Sequence, residues 1–492
     1  MSSKHVKTAA LYVISAIFVA VGLYFVIKKD TYLAFATPAV LGILLLYVFS
    51  LDKVLLLVSF LTPLSINIES LDVGLALSLP VEPLLAGLLL LFIAKYLYDH
   101  KFDVKISTHP ISIVIYIMFI WMIITTITSE LPVVSIKFVI SRLWFVIPAY
   151  FMCAVLFKEP KNISRFVWLY IAGLVIVVIY TIVNHASHGF DGDSAHWVMT
   201  PFYNDHTAYG AALAVYIILC IALLLMPGMK KSRRITGICV LCLLVLAIIL
   251  SFCRASWISL IAALGVLICV LLKIKFRYIA FIAAVLIGLF FTFQQQIFDS
   301  LSKNDQDASG NIVENIQSMT NITTDASNLE RINRWNSAFR MFKERPVFGW
   351  GPGTYQFIYA PFQESRNKTI ISTNSGDMGN AHSEYIGALA EQGLVGSLIV
   401  ISLVIVFMYY GLMTYRRAKN RESKILVLGA TLALLGYFVH GTLNNFLDTD
   451  KLAVPIWSCM AIITAIDCYH ADKENFYETT ELSEPQQVPD QK

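Results

Sequence analysis

The chain alternates between long apolar runs and short polar connections. The runs are roughly 17–24 residues long, and a helix of that length crosses the ~30 Å hydrocarbon core of a bilayer at 1.5 Å per residue. The pattern predicts about fourteen membrane spans, at 8–27, 32–50, 53–66, 80–97, 110–128, 134–157, 163–184, 207–226, 235–252, 254–272, 276–294, 393–415, 424–444 and 452–469. The third is short and contains Pro63, so it also fits half of a re-entrant pair. The expected fold is an all-α polytopic membrane protein with about 12–14 transmembrane helices and one large helical loop.

Composition supports this fold class. The chain is 57% hydrophobic and 14% charged, whereas soluble domains are about 25% charged. All eight cysteines lie in or beside apolar runs, so the sequence indicates neither a disulfide framework nor a paired-cysteine metal site. We expect the lipid bilayer as a partner, and no nucleic acid, metal or cofactor. The first apolar run, 8–27, lacks a small-residue cleavage site and is expected to be an uncleaved signal anchor.

The basic residues predict the orientation of the spans. Every second connection is rich in Lys and Arg, and the connections between them are nearly free of both: Lys95, Lys101 and Lys105; Lys158, Lys161 and Arg165; Lys230, Lys231, Arg233 and Arg234; Lys273, Lys275 and Arg277; Arg416, Arg417, Lys419, Arg421 and Lys424. Basic connections stay in the cytoplasm, so both termini are predicted to be cytoplasmic.

Four regions follow from this map. We assign N-terminal transmembrane helices to 1–294, a large outer loop to 295–392, C-terminal transmembrane helices to 393–469 and a disordered cytoplasmic tail to 470–492. In the loop, apolar residues at three- and four-residue spacing predict a helix that ends before Pro346: Leu329, Ile332, Trp335, Phe339 and Phe342. Among the predicted connections between spans, this loop is the one that is long enough to fold by itself.

A second helix of the loop is predicted to begin at Asn380, as its N-cap. His382 would then lie in the first helical turn, where the helix dipole disfavours the imidazolium form. A neutral imidazole can accept a proton, so His382 is a candidate general base, although a capping or packing role fits the local sequence as well. Glu384 and Glu391 are competing carboxylates, and a Glu in a first turn commonly compensates the dipole.

Arginines near the outer membrane boundary are candidates for binding an anion. Arg254 lies between two apolar spans with almost no loop around it, and such residues mark a ligand path, a charge partner or a side chain that snorkels to lipid phosphate. Arg331 and Arg334 are three residues apart, on one face of the predicted helix, where a solvated basic face is the alternative. Further candidates for substrate binding are Arg142, Asn204, His206 and Glu384, although Asn204 and His206 also fit a helix cap.

Three motifs carry a family resemblance. His382-Ser383, nine further residues and Gly393-Leu-Val-Gly396 resemble the signature of the O-antigen ligases. Arg331-Ile-Asn-Arg-Trp335 with Pro346-Val-Phe-Gly-Trp-Gly-Pro-Gly353 resembles the loop pattern shared by O-antigen ligases and O-antigen polymerases. Ser251-Phe-Cys-Arg254-Ala-Ser-Trp257 resembles the Ser-Arg turn of the family, with Ile258 where the family has Leu. The resemblance covers about residues 200–445.

The resemblance implies a glycosyltransferase of the bacterial inner (cytoplasmic) membrane, with its active site and large helical loop on the periplasmic face. In such enzymes the donor is a glycan linked to undecaprenyl pyrophosphate, and an acceptor sugar hydroxyl attacks its anomeric carbon without a metal or a cofactor. Arg254 and Arg331 would bind the pyrophosphate, with Arg334 as the substitute, because guanidinium groups form bidentate, charge-assisted bonds to phosphate. His382 would take the proton of the acceptor or orient its hydroxyl, and direct displacement would invert the anomeric centre.

The acceptor distinguishes the remaining alternatives. An O-antigen ligase uses the sugar of lipid A–core, whereas a polymerase of O-antigen or exopolysaccharide uses another lipid-linked repeat unit, and the His382 motif favours the ligase. A protein O-glycosyltransferase is a further variant. A lipid-linked oligosaccharide flippase belongs to a different class, but transporters show repeats and polar, broken helices at the midplane, whereas the polar residues here gather at the outer boundary.

Overall fold

The computed structural model describes residues 42–43, 45–47, 50–68, 77–274, 285, 326–364, 379–474 and 476–477. The predicted spans 8–27, 32–50 and 276–294 lie wholly or largely outside these residues. The same holds for the first part of the large loop, 295–325, and for most of the tail 470–492. The remaining predictions can be compared with the structure.

Helices make up most of the described chain, as the sequence predicts. They are α1 Leu51–Leu61, α2 Val81–Asp99, α3 Val104–Ser107, α4 Pro110–Ile127, α5 Pro132–Val146, α6 Cys153–Leu156, α7 Pro160–Ser187, α8 His206–Leu224, α9 Lys231–Leu250, α10 Arg254–Leu271, α11 Ala326–Glu344, α12 Tyr355–Ile358, α13 Glu384–Arg417, α14 Arg421–His440 and α15 Asp450–Ala465. A π-helical turn, Ile147–Met152, joins α5 to α6, and another, Ile466–His470, extends α15. Single 3₁₀ turns lie at Thr62–Leu64, Ser194–His196 and Ala360–Phe362. Two short strands, β1 Ile66–Ile68 and β2 Leu77–Leu79, pair in antiparallel register with Ile66 opposite Leu79.

Ten helices of the described chain are long and apolar enough to cross a membrane. Each corresponds to one of the predicted spans, and the fold class of an all-α polytopic membrane protein is confirmed. The prediction of a span at 53–66 is wrong as a full crossing, because α1 has only 11 residues and the chain then turns at Pro63 into β1. The helix predicted from the apolar stripe of the large loop is α11, and it ends before Pro346.

The bundle has a buried centre and a periphery that faces lipid. Helices α8, α14 and α15 are mostly buried, whereas α9 and α10 are largely exposed at the outside of the bundle. Gly210 of α8 lies against α10, where an added Cβ would come within 2.8 Å of the Cβ of Cys253. Small residues permit this close approach, which is the main source of helix association in lipid.

The two ends of the bundle have different connections. One end of the bundle contains the start of α13 and the end of α14, and we call it the site end. There the backbone N–H of Glu384 donates to the Gly441 carbonyl (2.8 Å), which joins these two helices. At the opposite end, Arg417 pairs with Asp467 (3.0 Å) and Lys158 pairs with Asp103. The Lys- and Arg-rich connections of the described chain lie at the opposite end, as the sequence predicts, and the assignment of that end to the cytoplasm remains a prediction.

Candidate functional site

The second half of the large loop is anchored on a kink in α13. Gly393 interrupts the helix with φ 68° and ψ −168°, and a Cβ at this position would lie 2.1 Å from the Val347 carbonyl oxygen. The turn at 346–353 docks there: the N–H of Leu394 donates to the Pro346 carbonyl (2.9 Å), and that of Gly351 donates to the Glu391 carbonyl (2.8 Å). The kink therefore fixes α11, which precedes this turn, relative to the start of α13.

Glu391 strengthens the same junction with its side chain. Its carboxylate accepts hydrogen bonds from the backbone N–H groups of Gly353 (2.9 Å) and Tyr355 (3.0 Å). These bonds join the turn and α12 to α13. Both carboxylate oxygens of Glu391 are therefore engaged in hydrogen bonds to the backbone. These bonds give Glu391 a structural role, as an alternative to its interpretation as a catalytic base.

His382 lies immediately before α13, and the predicted N-cap is wrong. Ser383 caps the helix by accepting from the N–H of Ile386 (3.4 Å), whereas the side-chain oxygen of Asn380 accepts from the N–H of His382 (3.0 Å). His382 therefore adopts φ 47° outside the helix, in the left-handed region, which is uncommon for residues other than glycine. Such strained residues cluster at functional sites.

The imidazole of His382 is held neutral by its surroundings. Burial, and then the positive charges of Arg334 and Arg331, lower its pKa to about 3. The prediction of a neutral imidazole rested on the helix dipole, but in the structure the cause is desolvation together with two guanidinium groups. The neutral ring has one nitrogen that can accept a hydrogen bond or a proton.

Arg334 and Arg331 act electrostatically on His382, and the third predicted arginine, Arg254, acts on Arg331. Arg254 is the first residue of α10, and Arg331 of α11 lies close enough for the two charges to interact. Arg331 is half-buried and its Nε donates to the Leu443 carbonyl (3.3 Å). Burial lowers the pKa of Arg331, and the neighbouring charges of Arg254 and Arg334 lower it further. Clustered guanidinium groups of this kind are stabilised by an anion.

Arg334 has different partners from Arg331. Its Nε donates to the Glu330 carboxylate (2.7 Å), and its Nη1 donates to the Asn380 carbonyl (3.0 Å). A Cβ at Gly379 would come within 2.2 Å of the same guanidinium group, so the chain before His382 passes directly over Arg334. Arg334 thus positions the 379–382 segment, and its charge acts on His382 from there.

Two further elements complete the cluster. Asp205 caps α8 by accepting from the N–H groups of Thr207 (2.7 Å) and Ala208 (2.9 Å), and its charge also acts on Arg331 and His382. The next residue, His206, lies edge-on to His196 with 4.2 Å between ring centroids. Burial lowers the pKa of His196. Asn204, predicted as a substrate-binding residue, is exposed at the surface of the loop.

His440 and Cys253 are members of the cluster that the sequence analysis did not single out. His440 ends α14, and its Nε2 is 3.8 Å from the Sγ of Cys253, the residue before Arg254. His440 is almost fully buried and interacts electrostatically with Arg331 and Asp205. The sequence offered one signal for His440, which is a histidine near the end of a predicted span. Buried polar residues in membrane helices commonly have a functional or structural partner.

A cavity of about 440 Å³ lies next to the His382 segment. The neighbours of His382, namely Asn380, Ala381 and Ser383, line it. The lining combines polar and charged side chains with aromatic rings: Lys137, Arg142, Gln356, Asn445, Asp448, Phe138, Trp144, Phe357 and Trp457. Rings that cover the apolar faces of a sugar and polar groups that bind its hydroxyls suit a glycan.

Two of the predicted substrate-binding residues line this cavity. Arg142 donates from Nη1 to the Leu447 carbonyl (2.6 Å). Glu384 accepts hydrogen bonds at Oε1 from the hydroxyl of Tyr437 (2.6 Å) and from the N–H groups of Phe446 (2.9 Å) and Leu447 (3.1 Å). Both side chains thereby hold the loop 441–449 in place, and in that loop burial raises the pKa of Asp448 to about 6.

Within the described chain, no group of three or more His, Cys, Asp and Glu side chains is arranged to hold a metal ion. The arrangement offers a cationic pair that can bind a pyrophosphate, a neutral imidazole beside it, and an adjacent polar cavity. These are the components that the transfer of a phosphate-linked glycan requires: a site for the leaving group, a proton acceptor and a site for the second substrate.

Comparison with known proteins agrees with the resemblance found in the sequence. Residues 238–401 match the model of the family described as O-antigen ligase. This segment includes Arg254, Arg331, Arg334 and His382. The chain is also 24% identical over 239 residues to an "Uncharacterized protein" of Haemophilus influenzae, a match that covers 47% of this chain and 57% of the relative. The match thus spans little more than half of that relative.

Proposed function

We propose that this membrane protein is a glycosyltransferase that moves a polyprenyl-pyrophosphate-linked glycan to lipid A–core, as an O-antigen ligase, because residues 238–401 match the family model described as O-antigen ligase. The observation that carries the proposal is the convergence of Arg254, Arg331 and His382, from three different helices or helix ends, beside a cavity suited to a glycan. The proposed donor is linked to undecaprenyl pyrophosphate, in the bacterial inner membrane, with the site end facing the periplasm.

In the proposed reaction, Arg254 and Arg331 bind the pyrophosphate of the donor. The leaving group gains negative charge as the glycosidic C–O bond breaks, and stabilisation of developing charge is usually the largest contribution to catalysis. Both arginines lie at the site end, Arg254 at the start of an apolar helix, where a polyprenyl tail can remain in the bilayer. Burial is the main cause that lowers the pKa of Arg331, and the charges of Arg254 and Arg334 lower it further; a bound dianion would offset the repulsion among the three guanidinium groups.

The acceptor glycan would occupy the 440 Å³ cavity and reach His382 past the neighbouring residues that line it. An acceptor hydroxyl attacks the anomeric carbon, the new C–O bond forms as the bond to pyrophosphate breaks, and the hydroxyl proton passes to the neutral imidazole. The lipid pyrophosphate leaves with the bonding electron pair, and the anomeric configuration inverts. The proposed step uses side chains alone, with no metal ion or cofactor.

Removal of the imidazole tests this assignment. Loss of a positioned general base typically lowers the rate by about 10²–10⁴-fold, so His382→Ala should bind the lipid-linked donor but transfer its glycan at that reduced rate. His382→Gln, which hydrogen-bonds without usefully accepting a proton, distinguishes orientation from proton transfer. The measurement is transfer from purified lipid-linked glycan in detergent, with and without EDTA. Near-normal turnover by His382→Ala would contradict the assignment, and inhibition of the wild type by EDTA would contradict a metal-free reaction.

The same assay identifies the acceptor. A ligase transfers the glycan to purified lipid A–core, whereas a polymerase of O-antigen or exopolysaccharide elongates the lipid-linked glycan when no lipid A–core is present. Both reactions would use the same arginines and His382. Elongation alone, without transfer to lipid A–core, would replace the ligase assignment by the polymerase.

A further inference from the structure

A second large cavity lies at the opposite end of the bundle, away from the proposed active site. Its volume is about 870 Å³, and it lies between the start of α7 and the connection from α8 to α9. Helix α9 runs from this cavity to Ser251, three residues before Arg254. One length of membrane-spanning helix therefore separates the two sites, and no residue discussed for glycan transfer lines this cavity.

Four cationic side chains converge on the cavity. Lys161 and Arg165 lie one turn apart on α7, and Lys230 and Arg233 face them from the α8–α9 connection and α9. Among the described residues that line the cavity, none is Asp or Glu. Like charges at i and i+4 destabilise a helix unless an anion compensates them. The amide oxygen of Asn162 accepts from Nη1 of Arg165 (3.2 Å), which orients the guanidinium group.

The rest of the lining is apolar and contains an aromatic ring. Leu56, Leu169, Leu223 and Met226 line the cavity beside the four cations, together with the indole ring of Trp168. An added Cβ at Gly237 would lie 3.2 Å from Cη2 of Trp168, so the indole packs closely against α9. Tryptophan is enriched at the level of lipid headgroups, where one part of the ring is apolar and another contacts polar groups.

We propose that this cavity binds an anionic phospholipid, with its phosphate between the four cations and the upper part of its acyl chains against the leucines and Met226. Basic pockets between membrane helices bind the headgroups of anionic lipids. The combination of cationic and apolar lining favours a lipid over a free phosphate ion, which would contact only the cations and would leave most of the volume unfilled. The predicted cytoplasmic side of this end agrees with the distribution of anionic lipids.

The test is native mass spectrometry of the full chain in detergent, titrated with dioleoylphosphatidylglycerol, dioleoylphosphatidylcholine or inorganic phosphate. We expect selective binding of phosphatidylglycerol. Each cation near a lipid surface contributes on the order of 1 kcal/mol, so Arg165→Gln with Arg233→Gln should weaken binding by roughly 30-fold. The control, Lys231→Gln with Arg416→Gln, removes the same charge from exposed residues that do not line the cavity and should bind as the wild type does.

Two outcomes would overturn the proposal. Equal weakening in both double variants would mean that binding follows net charge rather than this cavity. Competition by inorganic phosphate at the affinity of phosphatidylglycerol would assign the cavity to a soluble anion instead of a lipid. Thermal melting of all variants in detergent establishes that they are folded, and the glycan-transfer assay tests the other end of the molecule independently.

Discussion

Arg331 is the residue at which the contacts of the proposed donor site meet. It donates to the Leu443 carbonyl and interacts electrostatically with Arg254, Arg334 and Asp205. A bidentate fork and a permanent charge are both needed to hold a pyrophosphate in one orientation, and lysine supplies only the charge. The positions of these groups lead to two predictions at the scale of single residues.

The first prediction concerns the bidentate guanidinium group of Arg331. Arg331→Lys should lower kcat/KM for the lipid-linked donor by about 10²–10³-fold, the usual effect of removing one donor to developing negative charge. The amount of protein in the membrane should be unchanged. Lys343→Gln is the matched control, since it removes a charge from an exposed position on the same helix. If Arg331→Lys keeps more than half of the wild-type activity, bidentate binding by this residue is excluded.

The second concerns the pH dependence of His382. Its pKa of about 3 leaves the imidazole neutral in the free enzyme throughout pH 5–8. A histidine with an ordinary pKa of about 6.5 would lose roughly 30-fold of its neutral form between pH 8 and pH 5. We therefore expect that kcat/KM shows no acid limb due to His382 in this range.

The measurement is the pH profile of kcat/KM with the donor limiting. An acid limb between pH 6 and 7 that disappears in His382→Gln would contradict the lowered pKa. The direction of the pKa shift is set first by burial, which disfavours the charged imidazolium, and then by the positive charges of the two arginines, which disfavour it further. The bound pyrophosphate would offset those charges and raise the pKa, which makes His382 a stronger base when the donor is present.

At the scale of elements, the junction of α13 with the 346–353 turn determines where α11 lies. The Gly-x-x-Gly motif has a physical basis there, since Gly393 needs a left-handed φ and has no room for a side chain. The turn forms hydrogen bonds to the α13 backbone on both sides of the kink. The N–H groups of Trp350 and Gly351 donate to carbonyls before the kink, and the Pro346 carbonyl accepts from the N–H of Leu394 after it. Arg331 and Arg334 depend on this junction for their positions.

Gly393→Ala tests the junction. The substitution adds about 1–3 kcal/mol of backbone strain and brings Cβ against the Val347 carbonyl, so we expect a lower melting temperature and loss of glycan transfer. Gly265→Ala is the control, because that glycine lies in α10 with no neighbour of its Cβ position within 4 Å and the change should be nearly neutral. Wild-type stability and activity in Gly393→Ala would show that the kink is dispensable.

At the scale of the whole molecule, the site end and the opposite end have opposite chemical character. The basic connections gather at the opposite end, and the cluster around His382 lies at the site end. The positive-inside rule predicts that the site end lies outside the cytoplasm, which places the proposed glycan transfer there. The orientation can be measured without any knowledge of the substrate.

Cysteine labelling in intact cells gives that measurement. In a cysteine-free background, Lys343→Cys at the site end should react with a membrane-impermeant maleimide, and Lys419→Cys at the opposite end should not. Both side chains are exposed, so accessibility within the fold does not differ between them. After the membrane is permeabilised, both should react, which controls for reactivity. The reverse pattern would contradict the periplasmic location of the site.

The membrane class and the positions of ten spans follow from the sequence alone, which also predicts their alternating direction. These properties depend on the length of each apolar run and on the charge of each connection, which are local along the chain. It also indicated Arg254, Arg331 and His382 through their motifs. For the run at 53–66, hydropathy predicts a span and Pro63 permits half of a re-entrant pair; the structure has a helix of 11 residues there, too short for a full crossing.

The tertiary structure decided which residues meet. Asp205, Arg254, Arg331, His382 and His440 come from distant parts of the chain, and their approach depends on how the helices are rotated and packed. Hydropathy carries little information about that packing, because the surfaces that face lipid and those that face other helices are both apolar. His382 lies before α13, rather than in its first turn, because the Asn380 side chain accepts from the His382 N–H and Arg334 donates to the Asn380 carbonyl. The contact with Arg334 joins residues that are distant in the sequence, so no local pattern contains it.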